Sequence, residues 1–363
     1  MMVWLVQTLA DPDDRGGPAL VPVHVSRRKV LAAGGAGLLG ALDGWLDPDE
    51  LARVEAAIVT PSRVDLATVG HLEALLAHYR SLDHVVGPRR LLVPVHATLD
   101  LVDDLGKDAQ APARQALLSL SAQYEQLTGW LWTDGGNQAK AQRAYDQAFD
   151  RATEAGNQAL AGYVLACKSE QTRYAGHTDT AVELAQAAQR GEWRLTPVVR
   201  ARAADWEARA QALDGKRDEC KRKLDEAAEL LTESAGNGRA EEPPWISHFV
   251  EAQLAVHRGI CLTDLGEASP AIEVFEHALA ALPADRIRDR AYYLACSAQA
   301  HLGNDDPEQA AAVAQEGAQI AIAIGSSRSL EKLRGLHAEL SKAHQDVRAV
   351  QELGELLLRS ASA

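Results

Sequence analysis

Aromatic side chains are scarce in this 363-residue chain. Phe, Trp and Tyr make up 5% of it, Phe occurs three times, and Met occurs twice. Sheet-built cores draw heavily on aromatics, so their shortage argues against an all-β fold, while the Ala and Leu that dominate favour helix. Cysteine is limited to Cys167, Cys220, Cys261 and Cys296. None forms a CxxC pair and each falls in a different helical segment, which excludes a disulfide framework or a zinc ribbon and leaves small buried thiols. Such usage fits a reducing cytoplasm. Cationic charge is short as well: 37 Lys and Arg against 51 Asp and Glu leave a net charge of -14. Phosphate backbones require clustered cations, so no direct nucleic-acid partner is expected for this chain. No apolar run reaches the ~20 residues of a membrane span, so no membrane partner is expected either.

Reactive constellations are missing too. HExxH, GxSxG, P-loop and paired Cys/His motifs do not occur. His71 and His78 lie two helical turns apart, too far to share one ion. Gly35, Gly37 and Gly40 spell GxGxxG, but no strand–helix alternation surrounds them, so the dinucleotide-loop reading fails. The sequence therefore assigns no catalytic residue, no metal ligand and no cofactor, and the expectation is a protein that is not an enzyme.

What the chain does have is a repeat. Ala255–Asp285 reads as one tetratricopeptide unit, a helix–turn–helix about 34 residues long. Gly259 lies where two helices approach closely, Gly266 ends the first helix, and Ala271, Phe275 and Ala278 form a small–large–small packing face. Pro283 stops the second helix. Gly129, Gly136, Ala141, Tyr145 and Ala148 hold the same places in an earlier unit. Gly176, Ala181 and Ala188 continue the pattern, with Ser169 in place of the contact glycine. Gly215, Cys220, Leu224 and Ala227 follow, and Gly303 and Ala310 mark a fifth unit. The turn glycines at 136, 176, 215, 266 and 303 are 40, 39, 51 and 37 residues apart, so the helices or links exceed the minimal repeat. The expected fold is all-α, a right-handed superhelical solenoid of antiparallel helix pairs. Residues 1–46 read as a flexible lead-in and linker-like segment, 47–110 as N-terminal helical pairs, 111–325 as the repeats and 326–363 as capping helices.

In such a solenoid the first helix of each pair lines the concave face. The register places Gln123, Gln126, Trp130 and Thr133 there, then Tyr163, Glu170 and Arg173, then Arg202, Asp205 and Arg209, then Gln253, Val256 and Ile260, then Arg290 and Tyr293. Arginine and glutamine can bond a peptide backbone and aromatics can anchor apolar side chains. Trp130, Trp132 and Trp206 also suit packing.

The stretch Tyr79–Gly87, with its R-x-L-D-x-x-x-G pattern, and the block Leu127-Thr128-Gly129-Trp130-Leu131-Trp132-Thr133-Asp134-Gly135-Gly136 resemble a specific family. These are actinobacterial regulators that join a Cro/phage-repressor-type helix-turn-helix domain to a long tetratricopeptide-like region. Arg27-Arg28-Lys29-Val30-Leu31 is similar to the linker that follows the DNA-binding domain in that family. The resemblance runs from about Arg27 to the C-terminus and implies a sensor that binds a peptide or protein, with a transcription regulator as partner. It departs from the family in one respect: the 26 residues before the linker-like motif are too few for a helix-turn-helix reader, so DNA binding transfers to no residue here. Competing expectations are a passive scaffold, a self-associating homodimer, and an exported repeat protein using Arg27-Arg28 as a twin-arginine-like signal.

Overall fold

The computed structural model describes the backbone of residues 3–6, 20–23, 53–54, 56–57, 60, 64–191, 194–238 and 242–361. Within the lead-in, Val3–Val6 (β1) pairs antiparallel with Leu20–Val23 (β2). The Arg27–Leu31 motif and the Gly35–Gly40 stretch lie outside the described residues.

Fourteen α-helices are described. They are α1 (Leu66–Val86), α2 (Pro88–Asp108), α3 (Ala113–Asp134), α4 (Gln138–Glu154), α5 (Gln158–Tyr174), α6 (Thr178–Arg190) and α7 (Pro197–Leu213). After them come α8 (Arg217–Gly236), α9 (Glu251–Asp264), α10 (Ala268–Ala281), α11 (Ile287–Gly303), α12 (Pro307–Ile324), α13 (Ser327–Ala343) and α14 (Arg348–Ala361). Each packs on its successor, and from α1 to α13 each odd helix also touches the next odd helix. The result is an all-α solenoid of tetratricopeptide-like helix pairs. Odd helices form an inner layer and even helices an outer one.

Local chemistry explains the turns. At the end of α3 the chain passes through Gly136 at φ 79°, and Asn137 then caps α4 by accepting from Lys140 N–H at 3.1 Å. Only glycine adopts that left-handed backbone without strain. The fifth turn is lengthened, as its Asn304-Asp305-Asp306-Pro307 stretch leads one to expect, but the left-handed residue is not the glycine. Gly303 is the last helical residue of α11, and Asp305 takes the left-handed position at φ 58°. The longer Asn304-Asp305-Asp306 link moves the bend past the glycine, and Asp306 caps α12 by accepting from Gln309 N–H at 3.0 Å.

Packing between the two layers depends on small residues. A Cβ on Gly129 would sit 2.8 Å from the Tyr145 ring, and one on Gly259 would sit 3.1 Å from the Phe275 ring. Ala141, Tyr145 and Ala148 are buried, as are Ala271, Phe275 and Ala278. Pro283 lies just beyond the last residue of α10. All four cysteines are buried free thiols.

The solenoid closes on itself: α11 packs against α1, and α13 packs against α3. At one join, Gly87 (φ 74°) faces the Ile324 carbonyl, with which any Cβ would collide. At the other, Ser326 Oγ donates to Asp134 Oδ1 at 2.9 Å and Arg328 Nε donates to the same oxygen at 3.1 Å. Residues 326–343, read from the sequence as the start of the capping helices, are seated on the start of the array.

Candidate ligand-binding site

Closure turns the expected groove into a lumen of about 600 Å³ that stays partly open to solvent. Of the residues placed on the concave face from sequence, Gln123, Gln126, Trp130, Tyr163, Glu170, Arg202, Arg209, Gln253 and Tyr293 line it. Arg173 and Asp205 do not. They stand one layer back, where each braces a lining side chain. Arg290 belongs to the outside, where its guanidinium meets Glu316 at 2.9 Å. Thr133 bonds back to the Gly129 carbonyl within α3. Val256 and Ile260 are core residues of the fourth unit. Trp206 lines the lumen as well as packing, whereas Trp132 lies on the far side of α3 beneath the Lys140 ammonium.

The wall is built from buried ion pairs. Glu170 receives Arg173 Nε at 2.8 Å and Arg209 Nη1 at 2.7 Å. Burial would raise this carboxyl, but the two guanidinium groups outweigh it and hold it well below the ordinary carboxylate range. Arg202 Nη1 donates to Asp205 at 3.0 Å, and its guanidinium lies 4.3 Å from the Trp206 ring centre and 4.7 Å from that of Phe249. His257 Nδ1 is 2.8 Å from Asp205 Oδ2.

Burial pushes His257 down to about 4, against the pull of Asp205 and with the help of Arg209 and Arg202. A depressed folded value means that the contribution is complete above the unfolded 6.5 and is lost as pH falls through about 4. Between pH 7 and pH 5 the residue should cost the folded state about 2 kcal/mol. His257→Asn, whose amide can keep the bond to Asp205, should show a smaller fall in melting midpoint over that interval than the wild type. Equal slopes would mean that His257 does not carry the effect.

Sequence reasoning missed the residues that closure delivers. Arg288 pairs with Asp83, approaches Asp289 at 2.7 Å and lies 4.8 Å over the Trp130 ring. Trp130 Nε1 donates to Asp83 at 2.8 Å. His84 meets Arg286 at 2.5 Å and Asp289 at 3.4 Å. Arg328 donates to the Tyr174 hydroxyl at 2.7 Å and stacks 3.9 Å from Tyr292. The partners lie about 200 positions apart in the chain, beyond the reach of a local periodicity. The family-like motifs did mark one side of these joins, because Asp83, Gly87, Trp130, Asp134 and Gly136 all meet the far end of the solenoid.

Among the described residues no cluster of three His, Cys, Asp or Glu could hold a metal ion. No described helix is long and apolar enough to cross a membrane. No protein-family model matches the chain, and no curated protein matches it. Several solved structures do. BtubC (BKLC) from P. vanneervenii is 16% identical, with 66% of this chain and 92% of that chain covered and a TM-score of 0.41. A signal transduction ATPase with numerous domains and a tetratricopeptide repeat sensor, from Pyrococcus horikoshii, is 15% identical, with 93% and 54% covered and a TM-score of 0.43. A tetratricopeptide repeat protein from Parabacteroides merdae is 13% identical, with 79% and 99% covered and a TM-score of 0.38. The likeness is one of fold alone.

Proposed function

We propose that this protein is a non-enzymatic binding module that takes a short peptide segment into its lumen. One observation carries the reading: a partly open cavity of ligand size whose walls combine aromatic faces with charged and polar side chains. Arginine and glutamine side chains on the wall can bond the carbonyls and N–H groups of a peptide backbone. A cavity of about 600 Å³ narrows the expected ligand from a protein surface to a segment of a few residues. Occupancy would bias the closed ring over an opened one, and a partner reads that difference. The sequence resemblance makes a cytoplasmic transcription regulator the partner to test first.

The test is affinity selection from a pool of random hexapeptides, with retained peptides identified by mass spectrometry. Wild-type protein should retain a defined subset. Ala77→Trp, at an exposed position that lines the lumen, should retain none while melting like the wild type. Retention by both proteins alike would place peptide binding elsewhere and refute the lumen as its site.

A further inference from the structure

Cys220 and Cys261 face each other across one seam of the array. Cys220 lies in the first turn of α8, the second helix of the third unit, and Cys261 near the end of α9, the first helix of the fourth. Both belong to the same buried cluster, and each is 1% exposed. Their sulfurs are within hydrogen-bonding reach of one another. The other two cysteines are placed differently. Cys167 meets Gln126 and Tyr163, and Cys296 belongs to another cluster.

The two thiols are unequal. Cys261 donates its S–H to the Cys220 sulfur, and that bond holds the Cys220 thiol below its ordinary range although burial opposes it. The same bond, with burial, pushes Cys261 well above that range. The positive end of a helix also favours a thiolate, and Cys220 sits at one. Cys220 lies just beneath the surface, because residues 213–219 and 221–222 on either side of it are exposed. Cys220 is thus suited to attack and Cys261 to resolve.

We propose that Cys220 and Cys261 form a redox-responsive pair that closes to a disulfide and staples the third unit to the fourth. A low-molecular-weight disulfide is the oxidant. The Cys220 thiolate attacks one of its sulfurs, forming a mixed disulfide and expelling one small thiolate. Cys261 then gives up its proton, and its sulfur displaces the second small thiolate from Cys220. The protein dithiol loses two electrons and two protons, and the small disulfide gains them as two thiols. In a reducing compartment such a pair acts as a transient sensor rather than a permanent brace.

The staple would sit where a covalent tie changes most. Helices α8 and α9 are joined by the longest link between successive helices, and that link carries Pro244, Trp245, Ser247 and His248 to the lumen wall. In the dithiol form the two helices are held by packing and by the exposed Arg258–Asp225 pair. In the disulfide form the base of the link is tied, so this seam of the ring cannot part. The effect does not depend on what the lumen binds.

The test takes the full chain, reduced and then incubated with oxidised glutathione under native conditions. Free thiols are blocked with iodoacetamide in denaturant, and the digest is mapped by mass spectrometry. Cys220 and Cys261 should be recovered linked to each other, with Cys167 and Cys296 alkylated. Cys261→Ala should stop at the first step and keep glutathione on Cys220. Cys220→Ala should form neither a link nor an adduct at Cys261 in the same time. The linked wild type should melt about 5–10 °C above the reduced form, the scale for a disulfide closing a long loop in a chain of this size. Dithiothreitol should restore the reduced midpoint. A link that involves Cys167 or Cys296, glutathione persisting on wild-type Cys220, or four thiols left free would each overturn the pair. So would a linked form that melts below the reduced one, because a tie between sulfurs already side by side should strain nothing.

Discussion

Arg288→Ala is expected to destabilise the folded chain by about 3–5 kcal/mol, the cost of breaking a buried ion pair from one side. Arg288, Asp83 and Asp289 are 5%, 3% and 7% exposed. Removing the guanidinium leaves two enclosed carboxylates, Asp289 with His84 and Arg286 beside it and Asp83 with the Trp130 indole N–H, and takes the cover off the Trp130 ring. The Asp289 carboxyl is held well below its ordinary value although burial opposes this, Arg288 being the largest opposing influence. Urea unfolding reads the stability loss. Small-angle scattering reads a second consequence, an increase in radius of gyration as α11 parts from α1. The exposed pair Arg290–Glu316 serves as a control, because Arg290→Ala should cost less than about 1 kcal/mol. If the two variants behave alike, the join does not hold the ring shut.

The second large effect is expected at Glu170. Glu170→Gln leaves Arg173 and Arg209, 8% and 2% exposed, without the charge that both of them use. A loss of about 3–5 kcal/mol is again the scale. Its character should differ from that of the Arg288 variant, since Glu170 and Arg173 belong to α5 and Arg209 to α7. Weakening one internal interface of a repeat array decouples the units on either side. The denaturation curve should therefore broaden or divide, with a lower m-value, as well as shift. Because the wild-type carboxyl is held well below 4.5, its contribution is present above pH 4.5 and disappears only as pH falls through the depressed folded value. The gap between wild type and Glu170→Gln should close toward strong acid. A uniform shift with unchanged m would argue that Glu170 serves a single cooperative body.

The helix pairs were readable from the chain because their signals are local. Small residues at Gly129, Ala141 and Ala148, and again at Gly259, Ala271 and Ala278, recur at helical spacing, and left-handed glycines mark the bends. Register along the inner layer followed from the same periodicity, which is why Gln123, Tyr163, Arg202, Arg209 and Gln253 fall on the lumen wall. Closure left no local signal. Asp83 and Arg288, or Asp134 and Arg328, meet only because small rotations between successive pairs add up over the whole array, and no window of the sequence contains that sum. The misplaced Arg290 has a related cause: it and Arg288 sit at the start of α11, where a two-residue difference in register exchanges the inner face for the outer.

An open helix-repeat array has two ends, and ends fray: terminal units exchange their amide hydrogens first, and what they hold can leave with them. The joins at Gly87–Ile324 and Asp134–Arg328 abolish that asymmetry. Helices α1 and α13 should be protected from exchange nearly as well as α7, which is buried along almost its whole length. Opening the ring requires both joins to part, so the clasp sets how long the closed form persists.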